Sequence, residues 1–291
     1  MIDFDIAGYA DDNTPYVSGA NINAVVQSLE KASELIFKWL SDNQMKGNVD
    51  KCHILLSTND IVHVNIGTAQ ISNSNCEKLL GINIDSKLNF ERHIGDLCKK
   101  ASAKLNALAR VSHFMTLDKK RLLMNAFFTS QFSYCPLIWM LHSRKLNNKI
   151  NRLHERCLRT VYSDKLSCYE ELLDRDNSVS IHYKNIQKLA TEMYRVHKGI
   201  APEIIRDIFP INKSPGYNLR HIQEFSSRTI RTVHYGTDSL SFLGPKIWDL
   251  VPTEIKCLES TEAFRSAIKC WKPENCPCRI CRKYIHHVGF L

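Results

Sequence analysis

The groups in this chain best suited to binding metal are two adjacent carboxylates near its start, Asp11 and Asp12, and a run of soft ligands near its end. Two neighbouring carboxylates repel and raise one another's pKa, so a fold that keeps both ionised offsets them with solvent, a basic group or a cation. Mg²⁺ fits such a pair, being a hard ion that takes carboxylate oxygens and keeps waters or phosphates in its other positions. In nucleotidyl transfer two such ions, roughly 4 Å apart, stabilise the attacking and the leaving oxygen. The residues Asp11-Asp12-Asn13-Thr14-Pro15 also make an ordinary polar turn, so the dipeptide alone leaves both readings open. At the other end Cys270, Cys276, Cys278, Cys281, His286 and His287 crowd the last residues. Thiolates with imidazole suit tetrahedral Zn²⁺, and Cys276, Cys278, Cys281 and His286 form the candidate set. The spacing Cys-x-Cys-x2-Cys-x4-His matches neither a zinc knuckle nor a two-by-two finger, which leaves a frayed basic tail as the alternative.

These groups need elements to hold them. Ile2, Phe4 and Ile6 recur at period two, which predicts a strand with one buried face, and Asn13 to Pro15 mark a reversal that puts both aspartates at a hairpin tip. Asp3 and Asp5 share that strand and read as polar-face residues. From Asn21 to Leu40 the apolar residues Ile22, Val25, Val26, Leu29, Ala32, Ile36, Trp39 and Leu40 follow helical spacing. Lys46-Gly47-Asn48 breaks the helix. Lys51 to Ser57 reads as a strand, residues 61–71 as a hairpin around Asn65-Ile66-Gly67-Thr68, and Cys76 to Asp85 as another strand. Taken alone, Lys51 is a solvated lysine at a strand end.

That serial order, together with Tyr9-Ala10-Asp11-Asp12, Asn48-Val49-Asp50-Lys51-Cys52, Lys78-Leu79-Leu80-Gly81-Ile82, Tyr134-Cys135-Pro136-Leu137-Ile138-Trp139 and Leu243-Gly244-Pro245-Lys246-Ile247-Trp248-Asp249-Leu250-Val251-Pro252, resembles the C-terminal part of the reverse transcriptase of non-LTR (LINE-type) retrotransposons. The resemblance covers nearly the whole chain and rests on the order of the motifs more than on any one of them. It implies an α+β fold: a partial polymerase palm of β-hairpin, helix and strands over residues 1–90, then a helical thumb-like region over 91–165. A C-terminal extension over 166–269 and a Cys/His-rich tail over 270–291 follow. By the same resemblance Asp11 and Asp12 bind Mg²⁺ in the catalytic hairpin, with Asp11 the more direct ligand. Lys51 lies near the incoming nucleotide, where it protonates the pyrophosphate leaving group, and Leu79 to Ile82 positions the primer end. The implied partners are an RNA template and a DNA primer or target DNA. The family's third palm aspartate and its fingers precede the paired acids, and nothing here matches them. The 291 residues alone are therefore expected not to polymerise DNA, which keeps a non-catalytic RNA- or DNA-binding module as the alternative.

Charge agrees with a nucleic-acid partner. Residues 1–90 carry 6 Lys+Arg against 11 Asp+Glu, net −5, and residues 91–291 carry 33 against 19, net +14. Phosphate-binding surface is therefore expected after residue 90. Ile94, Leu97, Cys98, Ala101, Leu105 and Leu108 form a helical stripe from which Lys99, Lys100, Lys104 and Arg110 project elsewhere. Residues 125–141 read as a core helix. Lys145, Lys149, Arg152, Arg156 and Arg159 then recur at steps of four and three, a row on one helix face without interleaved acids, which is either a solvated face or a phosphate contact. Tyr169 to Gly199 reads as a structural helical region, and Gly244-Pro245 as the start of a short helix. Phe264, Ala267, Ile268 and Trp271 mark a last helix. Between them Arg220, Arg228 and Arg231 lie near Tyr217, Phe225 and Tyr235, a pattern that stacks on single-stranded RNA or simply anchors a loop. Eleven cysteines, an odd number, speak against a disulfide framework. No signal peptide or membrane-length apolar run is evident, so an intracellular site in nucleus or cytoplasm is expected.

Overall fold

The computed structural model describes residues 4–212, 224–226 and 229–282. Helices and small antiparallel strand pairs make an α+β chain that divides into two compact units, residues 1–93 and 94–291.

In the first unit β1 (Asp5–Tyr9) pairs with β2 (Asp12–Tyr16), and α1 (Ile22–Asp42) follows. The Asn21 side chain caps α1 by accepting from the Ala24 amide at 2.8 Å, which is why the helix begins there. Next come β3 (His63–Ile66) with β4 (Ala69–Ser72), then β5 (Cys76–Leu79) with β6 (Ile82–Asp85). The three hairpins remain separate two-stranded sheets. The unit's small core gathers Ile54, Leu56 and Val64 against Val25, Val26 and Leu29 of α1. Glu30 of α1 accepts from the backbone and side-chain nitrogens of Asn65, at 2.9 and 2.7 Å, and so fixes the helix on β3.

Several expected elements differ here. Every residue of β1 is exposed, so the anticipated buried face does not extend to Ile6, and Ile2 lies outside the described residues. The reversal is Ala10-Asp11, with Ala10 left-handed at φ 54°, and Pro15 lies inside β2 on the return strand. Residues 51–57 form no strand. The Asn48 side chain accepts from the Asp50 amide at 3.0 Å and tightens Val49–Lys51 into a 3-10 turn, after which Leu55 makes a single bridge to Ser74. Residues 76–85 are two strands, since Leu80 (φ 46°) and Gly81 (φ 87°) reverse the chain with both turn positions left-handed.

The second unit is helical: α2 (Glu91–Val111), which starts in the last residues of the first unit, α3 (Leu117–Phe127), α4 (Pro136–Trp139), α5 (Arg144–Tyr162), α6 (Tyr169–Arg175), α7 (Ile181–His197), α8 (Glu203–Ile208), α9 (Leu240–Asp249), α10 (Thr253–Lys256) and α11 (Thr261–Ile268). Residues 125–141 are not one helix. A 3-10 turn at Thr129–Phe132, left-handed Cys135 (φ 40°) and Pro136 divide the apolar run, although Phe128, Phe132, Trp139 and Met140 are buried as expected. Residues 169–199 likewise split into α6 and α7. Helix α9 begins well before Gly244-Pro245, which lie inside it. A Cβ on Gly244 would stand 2.4 Å from Phe209, so glycine is what lets this helix approach that ring.

The core of this unit runs from α7 to the Cys-rich segment. Tyr194 stacks on Phe264 at 4.3 Å between centroids, Trp248 packs on Phe264 and Phe225, and Trp248 Nε1 donates to Glu224 at 2.8 Å. Phe225 is thus a core anchor and not a stacking platform; Tyr217, Arg220 and Arg228 lie outside the described residues.

Candidate functional site

The two aspartates sit at the β1–β2 tip, Asp11 in the turn and Asp12 opening β2 opposite Tyr9, and both are exposed. Among the described residues no third His, Cys, Asp or Glu joins them in a group that could share an ion, so the two-ion clamp of nucleotidyl transfer is not assembled there. Lys51 is exposed at the end of its 3-10 turn, and no hydrogen bond or ion pair ties it to either acid. Leu79 and Ile82 flank the β5–β6 turn.

The basic residues are arranged differently. Ser143 caps α5 by accepting from the Leu146 amide, and Leu146, Ile150, Cys157, Leu158 and Val161 bury one face of the helix. That burial turns Lys145, Lys149, Arg152 and Arg156 outward, where they are exposed. The row is shorter than its spacing implies. Arg159 is committed to Glu155, at 2.7 Å, and to the Lys165 carbonyl, so an acid does interleave the stripe at that end. Arg156 also donates to Asn106 of α2. Between α2 and α5 a notch of about 380 Å³ is lined by Cys98, Lys99, Ser102, Lys149, Arg152, Leu153 and Arg156. Four cations thus surround one notch, and Lys99, on a different helix, is brought into the set by packing. Lys100 and Lys104 are exposed on α2 but do not line the notch.

A larger cleft of about 1010 Å³ was not foreseen. Apolar Phe132, Pro136, Leu137 and Ile268 share its wall with Arg121, Lys184, Lys188, Arg265 and Lys269. Asp176 holds its rim, accepting from Arg121 Nε at 3.0 Å and from the Tyr162 hydroxyl at 2.8 Å, and burial together with that bond pushes the Tyr162 phenol up to about 12. Burial lowers Lys184 below the usual lysine range. The residues that form this cleft come from four stretches of chain, at 121–138, 176–192, 205 and 265–269, and no local spacing announces it.

Near the C-terminus Cys276, Cys278 and Cys281 converge as expected, but the fourth group beside them is His182. His286 lies outside the described residues. One ligand atom from each of the four falls within 4.8 Å of every other, and Cys278 Sγ is 3.3 Å from His182 Nε2. Cys276, Cys278 and His182 are buried, and Cys281 is partly so. Hydrogen bonds with Cys276 and Cys281 hold the Cys278 thiol below its ordinary value, the bond with Cys278 pushes Cys276 up to about 12, and the bond with Cys276 raises Cys281.

In sequence the chain is 26% identical over 162 residues to the RNA-directed DNA polymerase from mobile element jockey of Drosophila funebris, a stretch that is 54% of this chain and 18% of that protein. It is 22% identical over 219 residues to the protein of the same name from Drosophila melanogaster, covering 72% of this chain and 24% of that protein. The chain thus spans less than a quarter of the length of these relatives. No family model matches it, and no solved structure matches it. The expected likeness to a LINE-type reverse transcriptase is borne out by these two relatives: the chain carries a reverse transcriptase-like region.

Proposed function

We propose, from the premise that this chain carries a LINE-type reverse transcriptase-like region, that it is a segment of an RNA-directed DNA polymerase that grips template and primer and does not extend a primer by itself. In this reading residues 1–90 are the later part of the palm, 91–165 the thumb, 166–269 an extension and 270–291 a tail. The observation that supports it most is the cationic notch between α2 and α5. Lys99, Lys149, Arg152 and Arg156 stand exposed around it, on helices held by buried faces. Lysine and arginine on a rigid frame bind phosphates of RNA or DNA through charge, releasing counterions. Lys100, Lys104 and Lys145 extend the same positive surface, and Arg159 steadies the end of the row through Glu155.

The paired acids favour a second, complementary role. Asp11 and Asp12 would hold Mg²⁺ within a reaction centre whose remaining carboxylate comes from elsewhere, and Lys51 would serve the leaving group there. A bound Mg²⁺ supplies charge stabilisation for phosphoryl oxygens. The chain's own share is to present two carboxylates at the hairpin tip, Asp11 in the turn and Asp12 opening β2.

Primer extension on an RNA template with Mg²⁺ and dNTPs tests both roles, comparing the wild-type chain with the Asp11→Ala, Asp12→Ala double variant, with gel-shift binding on the same preparations. The expected result is salt-sensitive binding by both proteins and extension by neither. Extension that vanishes in the double variant would overturn the non-extending reading and place the acids at a working centre.

A further inference from the structure

The Cys/His cluster is the only place among the described residues where three or more potential metal ligands converge, and its geometry goes beyond the nucleic-acid reading. In a tetrahedral zinc site with Zn–S near 2.3 Å and Zn–N near 2.0–2.1 Å, ligand atoms stand about 3.6–3.8 Å apart along each edge. Ligand atoms here lie within 4.8 Å of one another and the one Cys278–His182 edge is 3.3 Å, so shifts of about an ångström or less bring all four onto one centre. We propose that His182, Cys276, Cys278 and Cys281 together hold one structural Zn²⁺ that fastens the C-terminal segment to α7.

Four arguments support the assignment. Three sulfurs and one imidazole nitrogen are soft ligands that select Zn²⁺ over Mg²⁺ or Ca²⁺. All four positions are filled by protein, which marks a closed structural site rather than a catalytic one with an open position. The backbone is already held for the purpose on both sides of the thiols. Gln187 donates to the Lys269 and Trp271 carbonyls at 3.0 and 2.8 Å, and Arg144 donates to the Ile280 and Arg282 carbonyls at 3.1 and 3.0 Å. Finally, Cys276 and Cys278 are 5% and 1% exposed and Cys278 Sγ already meets His182 Nε2 at 3.3 Å, so the donor atoms face one another away from water, as the ligands of a closed site do. Binding replaces the thiol protons, released to solvent, and the waters of the aquo ion by three S–Zn bonds and one N–Zn bond.

The fourth ligand distinguishes this site from any knuckle built within the tail. His182 is the second residue of α7, capped by Ser180, and is 96 residues from Cys278. It ties the tail to a helix that is buried through most of its length, so the metal closes a tertiary contact and not a local loop. His286 and His287 are not needed.

The test uses the full chain purified from zinc-supplemented medium. Zinc is measured by mass spectrometry, affinity by competition with a chromogenic chelator, and coordination by the absorption of the Co²⁺-exchanged protein. The expected result is one zinc per wild-type chain and a Co²⁺ spectrum with thiolate charge-transfer and tetrahedral d–d bands. Cys278→Ser should purify without stoichiometric zinc. His182→Ala should weaken binding by at least the roughly 10–100-fold that loss of even a supporting hydrogen bond costs a metal site. His286→Ala should match wild type. His182→Cys should retain the metal with a Co²⁺ spectrum shifted toward four thiolates, which keeps the test decisive if His182→Ala does not fold. Wild-type protein that takes up no zinc on refolding with Zn²⁺ overturns the site. Zinc kept by His182→Ala and lost by His286→Ala overturns the assignment of the fourth ligand. Nucleic-acid binding on these preparations separates this proposal from the gripping function, since the notch between α2 and α5 shares no residue with the cluster.

Discussion

The acidic hairpin and the Cys/His cluster place metal-binding groups in opposite ways. Asp11 and Asp12 are adjacent in sequence, exposed, and carried on a two-stranded sheet whose first strand buries nothing. The cluster draws its groups from positions as far as 99 residues apart, His182 and Cys281, and its sulfurs belong to the same core as Met193, Trp248 and Phe264. A contiguous motif can place its ligands with almost no core behind it, whereas a dispersed one exists only where packing has already brought its parts together. Damage to the core of the second unit should therefore reach the cluster, and leave the hairpin as it was.

Trp248→Ala is the strongest way to break that contrast. The ring is fully buried, packs on Phe225 and Phe264, and donates to Glu224. Its truncation should cost the second unit about 3–5 kcal/mol, as large-to-small changes in a packed core do. Urea unfolding followed by a probe in each unit checks this. Loss of cluster thiol protection against a thiol reagent, without change at the hairpin, is the expected pattern, and equal effects in both units would erase the distinction.

Next in size is the acid response of the second unit. His154 is buried between Phe128 and Tyr169, whose hydroxyl lies 2.8 Å from Nδ1, and burial pushes its pKa down to about 3. The folded state thus keeps His154 neutral while the unfolded chain protonates it near pH 6.5. Stability from this group is complete above pH 6.5 and falls as the pH drops from there toward 3, because the unfolded state then binds the extra proton. Between pH 7 and pH 5 the loss amounts to about 2 kcal/mol, at 1.36 kcal/mol per pH unit below the unfolded pKa. Urea midpoints of wild type and His154→Gln at both pH values should show a flatter dependence in the variant.

The cationic notch sharpens the comparison on the functional side. Replacing Lys149 and Arg152 by Gln should lower the slope of log affinity against log salt by about 2 on duplex nucleic acid, at roughly 0.9 per phosphate contact. The Asp11→Ala, Asp12→Ala pair should leave that slope unchanged. Gel shifts over a salt series read both, and a slope indifferent to Lys149 and Arg152 would move the phosphate contact to another surface.

Sequence foresaw what local periodicity encodes. Helix α1, the stripe of α2, the turn at Gly67 and the outward row of α5 all follow from spacing within a few turns of chain, and the structure contains them. Errors came where a long-range or single-residue effect overrode the pattern. Alternating Ile54, Leu55 and Leu56 does bury two of its residues, but with only one bridge to Ser74 it remains unpaired as a strand. Leu80-Gly81 folds one apparent strand into two, and in place of the single helix expected over residues 125–141 α3 stops at Phe127 and Pro136, after left-handed Cys135, opens a new short helix. The three cysteines were legible from their density. His182 was not, because one histidine among the apolar residues of α7 looks like any other position of that helix until the fold sets it beside Cys278.

The smallest expected effect tests the hairpin itself. Ile6 is 48% exposed on a strand whose residues are all exposed, so Ile6→Ala should change the stability of the first unit by no more than about 0.5 kcal/mol. A hairpin so lightly anchored keeps its geometry through its turn and its five antiparallel residue pairs, from Asp5–Tyr16 to Tyr9–Asp12, rather than through burial. A larger loss, seen in urea unfolding with a probe in the first unit, would mean that Ile6 is covered by a surface other than the one described. In that case the β1–β2 sheet has a packing partner, and the two aspartates are held more firmly than an isolated hairpin can hold them. The contrast between the contiguous and the dispersed site would then narrow to one of sequence separation alone.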